Sequence, residues 1–76
     1  MVEIDRKADL RGVSCPLNYV KTKLQLEELE AGQVLAILLD DGEPIVNVPR
    51  SAKEDGNQIL EVNKIEDYYQ VLIKKG

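Results

Sequence analysis

The run Val34-Leu-Ala-Ile-Leu-Leu39 is six apolar residues in an unbroken row. A strand with one wet face alternates apolar and polar side chains, so an unbroken row belongs to a strand covered on more than one side. Asp40-Asp41-Gly42 follows and ends it with turn-forming residues. A strand of this kind sits near the centre of a sheet. The segments on either side must therefore supply both its neighbours and its cover.

Upstream, residues 16 to 30 read as a helix. Tyr19, Thr22, Leu26 and Leu29 recur at steps of three and four, the spacing of one buried face. Gly32 lies just past the end and predicts a left-handed stop. Leu17, Val20 and Leu24 form a second stripe, roughly opposite the first at about 100° per residue. One apolar face is enough for a helix lying on a sheet. The second stripe predicts contact with a loop, another copy of the chain or a different protein. Before the helix, Glu3 to Leu10 reads as a strand with Ile4, Ala8 and Leu10 on its face, and Gly12 permits a turn.

Downstream, Pro44 opens a further helical segment in which Ile45, Val48 and Ala52 share a face. Pro49 lacks an N–H, which predicts a short entry turn and then a helix over 49–55 rather than one straight helix. Gly56-Asn57 closes it. Ile59, Leu60 and Val62 make a third strand, and Tyr69, Val71 and Ile73 alternate in a fourth. The short turn at Glu66-Asp67 predicts that the last two strands form an antiparallel hairpin. The order is β-α-β-α-β-β. It predicts an α/β (α+β) two-layer sandwich in which two helices pack on one face of a mixed four-stranded sheet, as a single domain over 1–76.

The 76 residues include one cysteine and no histidine. That excludes a Cys–His nucleophile pair, an intrachain disulfide, a CxxC redox pair and a cysteine-rich zinc site. The acidic pairs Glu27-Glu28 and Asp40-Asp41 have no further ligands in a recognisable motif, so they read as solvated helix surface and turn, and no metal is expected. Ten basic residues against fourteen acidic ones leave a net charge of −4, which argues against direct nucleic-acid binding. The charged opening and the lack of any long apolar stretch predict no export signal and no membrane span; a free cysteine then suits the cytoplasm.

That cysteine stands in Asp9-Leu-Arg-Gly-Val-Ser-Cys15-Pro16. Proline favours the first position of a helix, which predicts Pro16 at that position and Cys15 at the N-cap. There the unpaired N–H groups and the positive end of the helix dipole favour a thiolate. On this geometry Leu17 and Asn18 direct their N–H groups at the sulfur. Arg11, Lys21 and Lys23 are close enough in sequence to offset negative charge or to meet an acidic partner. Asp9 is expected to brace Arg11 or the turn, and Gly12 to serve the backbone. Two other readings of the thiol stand beside this one: a small buried hydrophobe, and a redox sensor that lacks a resolving cysteine.

Asp9-x-Arg11-Gly12-x-x-Cys15-Pro16, the helix, Gly32, the apolar strand ending in Asp40-Asp41, Val48-Pro49 and the final hairpin together resemble the TusA/SirA-like sulfur-carrier proteins. The resemblance runs from about Asp9 to Lys75 and departs from the family's Cys-Pro-x-Pro motif at Asn18, where a proline is usual. It implies the same β-α-β-α-β-β fold and a transient persulfide on Cys15, with no separate cofactor. The implied partners are a cysteine desulfurase or rhodanese-type sulfur donor and a downstream sulfur-accepting protein, serving tRNA thiolation, cofactor synthesis or sulfur metabolism. Such a carrier is a sulfurtransferase component at the border of what counts as an enzyme. Leu17, Val20, Lys21, Leu24 and Arg11 are the expected partner-binding residues. The alternative is a regulatory or interaction module that uses the same helix face without chemistry.

Overall fold

The computed structural model describes residues 3–14 and 16–76. Its elements follow the expected order: β1 (Arg6–Asp9), α1 (Leu17–Glu27), β2 (Val34–Asp40), α2 (Glu43–Glu54), β3 (Gln58–Ile65) and β4 (Tyr68–Lys74). The sheet order is β1-β2-β4-β3. β1 runs parallel to β2, whereas β4 is antiparallel to both β2 and β3. The two crossovers therefore step the same way across the sheet, and with a common right hand both helices fall on one face. This is the mixed four-stranded, two-layer arrangement that the sequence predicts.

Burial follows the alternation of the central strands. Leu35, Ile37 and Leu39 of β2 and Val71 and Ile73 of β4 face the helices and are completely buried. They meet Leu26 and Leu29 from the first helical segment and Val48 and Ala52 from α2. On the opposite face Val34, Ala36 and Leu72 are also buried, covered in part by Ile4 and Leu60. Apolar material on both faces explains the unbroken row at 34–39. β4 lies between β2 and β3, so it is equally interior.

Three boundaries differ from the sequence expectation. β1 is shorter than 3–10, because the backbone bond from Asp5 and the carboxylate of Asp5 both go to Val34 and end the regular ladder there. α1 stops at Glu27, and its C-cap Glu28 is right-handed. Gly32, at φ +94°, shapes the turn into β2 instead, where its N–H donates to the Lys75 carbonyl. The Lys75 ammonium in turn donates to the Leu26 carbonyl at 2.7 Å, satisfying one of the acceptors that a helix end leaves open. α2 is one helix through Pro49 rather than an entry turn and a second helix. An interior proline costs about 3 kcal/mol. Fully burying residues such as Val48 and Ala52, one turn apart on the face that meets the sheet, offsets that cost.

Removing a side chain from this core has a predictable effect. Ile37→Ala should lower the unfolding free energy by about 2–5 kcal/mol in denaturant titration, because Ile37 is fully buried between the helices and β4. Leu24→Ala, at 56% exposure, should change it by no more than about 0.5 kcal/mol.

Candidate functional site

Cys15, with the expectation that it is the N-cap, lies outside the described residues. The chain on either side defines where it is attached. The loop leaves the end of β1, where the Leu10 N–H donates to Leu38 of β2 at 3.0 Å and the Val13 N–H returns to Leu10 at 3.2 Å. Gly12 takes φ +79°, a backbone state that favours glycine. Ser14, Pro16 and Leu17, which flank the cysteine, are all exposed.

The helix begins one residue later than expected. Pro16 is the N-cap and Leu17 the first helical residue, so Asn18 holds the second position rather than the third. The first full helical bond runs from the Val20 N–H to the Pro16 carbonyl at 3.1 Å. The Asn18 N–H is bonded to the Ser14 carbonyl at 3.0 Å, so it already has a partner in the loop. The preference of proline for the first turn is satisfied equally well at the cap, since neither position requires its N–H.

Asn18 is itself fully buried. With Thr22 and Leu26 it forms a stripe at steps of four that extends the core-facing side of α1 by one turn. Its Oδ1 accepts the Tyr19 N–H at 2.7 Å, and the Thr22 hydroxyl donates to its carbonyl at 2.9 Å. The Asn18 Nδ2 has no hydrogen-bond partner among the described residues. The spacing 18-22-26 was the available signal for this inward placement, masked by the polarity of asparagine.

Arg11 is held by its neighbours. Its Nε and Nη2 donate to the two carboxylate oxygens of Asp9 at 3.0 and 2.8 Å, and its backbone N–H donates to Asp9 at 3.1 Å. The guanidinium also lies over the Tyr68 ring, 4.5 Å from its centroid, in cation–π geometry. These contacts hold the Asp9 carboxyl at about 2, through the Arg11 side chain first and its N–H second. A third contact was not legible in the sequence: Asp40 Oδ2 accepts the Gly12 N–H at 2.6 Å across 28 positions of chain. The sequence predicts solvated turn at Asp40, and no local pattern marks a side chain that bonds to a distant loop.

The second stripe of α1 is open. Leu17, Val20 and Leu24 are 50%, 46% and 56% exposed, and Lys21 stands exposed among them, one turn from Leu17 and from Leu24. No described element covers them. Lys23 is exposed on a different side of the helix, beside a groove of about 320 Å³ that Tyr19 and Asp55 also line. There the Tyr19 hydroxyl donates to the Asp55 carboxylate, tying α1 to α2. Burial, and then Asp55, push the Tyr19 pKa above its usual value. Among the described residues no cluster of acidic or cysteine side chains is placed to hold a metal ion. None of the described helices is long and apolar enough to cross a membrane.

Fold and loop together define a small α+β arrangement whose sequence carries a single Cys-Pro step just before its first helix. Residues 6–75 match the family described as sulfurtransferase TusA, and the chain belongs to that family. It is similar to the sulfur carrier protein TusA of Allochromatium vinosum, 31% identical over 76 residues and covering the whole of both chains. A protein of Archaeoglobus fulgidus that bears a provisional sulfur-carrier name is 37% identical over 75 residues, covering 97% of this chain and 85% of that one. Among solved structures, the SirA-like protein of Desulfitobacterium hafniense superposes with a TM-score of 0.80 at 30% identity, covering 93% of this chain and 97% of that one. The family is one of sulfur carriers.

The Asp9–Arg11 fork is open to titration. The ordinary value for Asp9 is 3.8, and in the folded chain it is about 2. A depressed carboxyl contributes its stabilisation fully above the ordinary value and loses it as pH falls through the folded one. The fork should therefore persist through mildly acidic pH and open only near pH 2. Arg11→Ala removes the guanidinium and keeps the backbone N–H, so it should raise the Asp9 carboxyl from about 2 part of the way to 3.8 in an NMR titration; a value still near 2 would show that the guanidinium is not the cause.

Proposed function

We propose that this chain carries sulfane sulfur as a persulfide on Cys15 and passes it between a cysteine desulfurase or rhodanese-type donor and an accepting protein. Family membership supports the carrier role, and one structural observation supports the site. The residues on both sides of Cys15 are exposed, at the end of a loop whose backbone is hydrogen-bonded to β1, β2 and α1. Two different proteins can reach such a position in succession. A deep pocket would admit only one shape.

The chemistry asks little of the carrier. The Cys15 thiolate attacks the terminal sulfur of the donor persulfide; the donor S–S bond breaks, its thiolate leaves, and Cys15 becomes the persulfide. A thiolate of the acceptor then attacks that outer sulfur and Cys15 departs as thiolate. One S–S bond forms and one breaks at each step, so no external oxidant or reductant enters. No base is required if the sulfur is already ionised, which is consistent with a chain that has no histidine. Placement just ahead of the α1 N-terminus favours the anion.

The face of Leu17, Val20, Lys21 and Leu24 begins two residues beyond Cys15 and is the docking surface for the sulfur-handling partner in this reading. Its exposed leucines and valine supply apolar area, and Lys21 supplies a charge that suits an acidic rim. The cytoplasm is the compartment that suits a carrier with an unpaired thiol.

Incubation with a cysteine desulfurase and cysteine should add about 32 Da, one sulfur atom, to the intact protein, and Cys15→Ser should abolish that species. An unmodified wild-type chain that still binds its partner would favour the interaction-module reading. Leu24→Glu should slow transfer from the cognate donor by about tenfold or more at limiting concentration, the effect of losing about 1.4 kcal/mol of docking energy. It should leave folding intact, because Leu24 is exposed.

A further inference from the structure

Three strand ends meet beside the loop of residues 10–16. Asp9 closes β1, Asp40 closes β2, and Tyr68 opens β4 as the cross-strand partner of Asp40. From this corner Asp40 reaches Gly12, three residues before Cys15, with a bond of 2.6 Å between a carboxylate and an amide. Among the described residues it is the one side-chain hydrogen bond that joins the backbone N–H groups of residues 11–14 to a distant part of the chain. The Arg11 guanidinium, close enough to Asp40 to feel its charge, is stacked on Tyr68 and forked to Asp9. The turn is thus held on its backbone by Asp40 and on its side chain by Asp9 and Tyr68.

Fold stability does not call for this contact. Gly12 is exposed, so water would satisfy its N–H if Asp40 did not, and an added Cβ there would meet nothing within 4 Å. A solvent-accessible hydrogen bond contributes little to the folding equilibrium, though a bond to a charged acceptor is stiffer and shorter than a neutral one. What it does supply is orientation, because a left-handed glycine turn otherwise has wide backbone freedom.

We propose that Asp40 is a positioning residue for sulfur transfer: by fixing the Gly12 turn it sets the direction and reactivity of the thiol three residues further on. The proposal rests on the reading of Cys15 as the sulfur-bearing residue. It separates two effects of one carboxylate. As a bare negative charge Asp40 disfavours a nearby thiolate, and as an acceptor it holds the loop in the place where the helix N-terminus favours one.

Alkylation of Cys15 by iodoacetamide across pH, well below the melting temperature, separates them. Asp40→Asn keeps an acceptor oxygen and removes the charge; Asp40→Ala removes both. The expected result is that Asp40→Ala raises the apparent thiol pKa by about half a unit or more, whereas Asp40→Asn leaves it unchanged or lower. Sulfur loading from a desulfurase should fall in the alanine variant and recover in the asparagine variant. Wild-type alkylation by Asp40→Ala, or equal shifts in both variants, would overturn the proposal. Should Asp40→Ala fail to fold, Asp40→Ser replaces it, with the same two outcomes. Alkylation requires no persulfide, so a failure of wild-type sulfur loading would remove the carrier reading while leaving the positioning result to stand or fall separately.

Discussion

Burial of β2 and β4 on both faces is the constraint from which the remaining geometry follows. β2 pairs with β1 on one side and β4 on the other, so over Leu35–Leu38 its backbone N–H and C=O groups have a partner strand on both edges. Its odd-numbered side chains enter the layer beneath the helices, and Val34 and Ala36 on the other face meet Ile4 and Leu60. A strand locked in this way cannot slip by one residue without exchanging its two faces. Its last residue, Asp40, consequently stands at a defined point beside the end of β1.

That point is where the loop toward α1 departs. β1 and β2 are parallel and end together, and the loop into α1 starts from the same edge of the sheet. Two kinds of interaction then divide the work. Polar contacts of Asp9, Arg11, Asp40 and Tyr68 hold the loop, while the apolar stripe at Leu17, Val20 and Leu24 remains uncovered along the helix that follows. A carrier that serves two partners gains from this division. The loop is held by polar contacts, and in the proposed reading recognition falls to the exposed face outside the core.

Much of this arrangement was legible in the residues. The unbroken row at 34–39 gave away an interior strand, the steps of three and four from Tyr19 to Leu29 a buried helix face, and the alternation at Tyr69, Val71 and Ile73 a strand beside a tight turn. The second stripe on α1 is surplus to a helix lying on a sheet, and it is exposed. The misreadings share a cause. The local cost of Pro49 predicts a break, yet tertiary burial of Val48 and Ala52 carries the helix through it. The local preference of proline for the first helical position puts Asn18 third with a free N–H, yet it is the second helical residue, buried on the inward side of α1, with its N–H committed to Ser14.

What the residue order determined by itself was the set of elements and their apolar faces, because periodicity acts over a few neighbouring residues and is written in the chain. It also determined the kind of chemistry available: one thiol, with no imidazole and no second thiol beside it. Only the tertiary structure decided that β4 inserts between β2 and β3, and that Asp40 grips a glycine 28 positions away. Such choices depend on which surfaces cover one another in space. No short-range pattern encodes them.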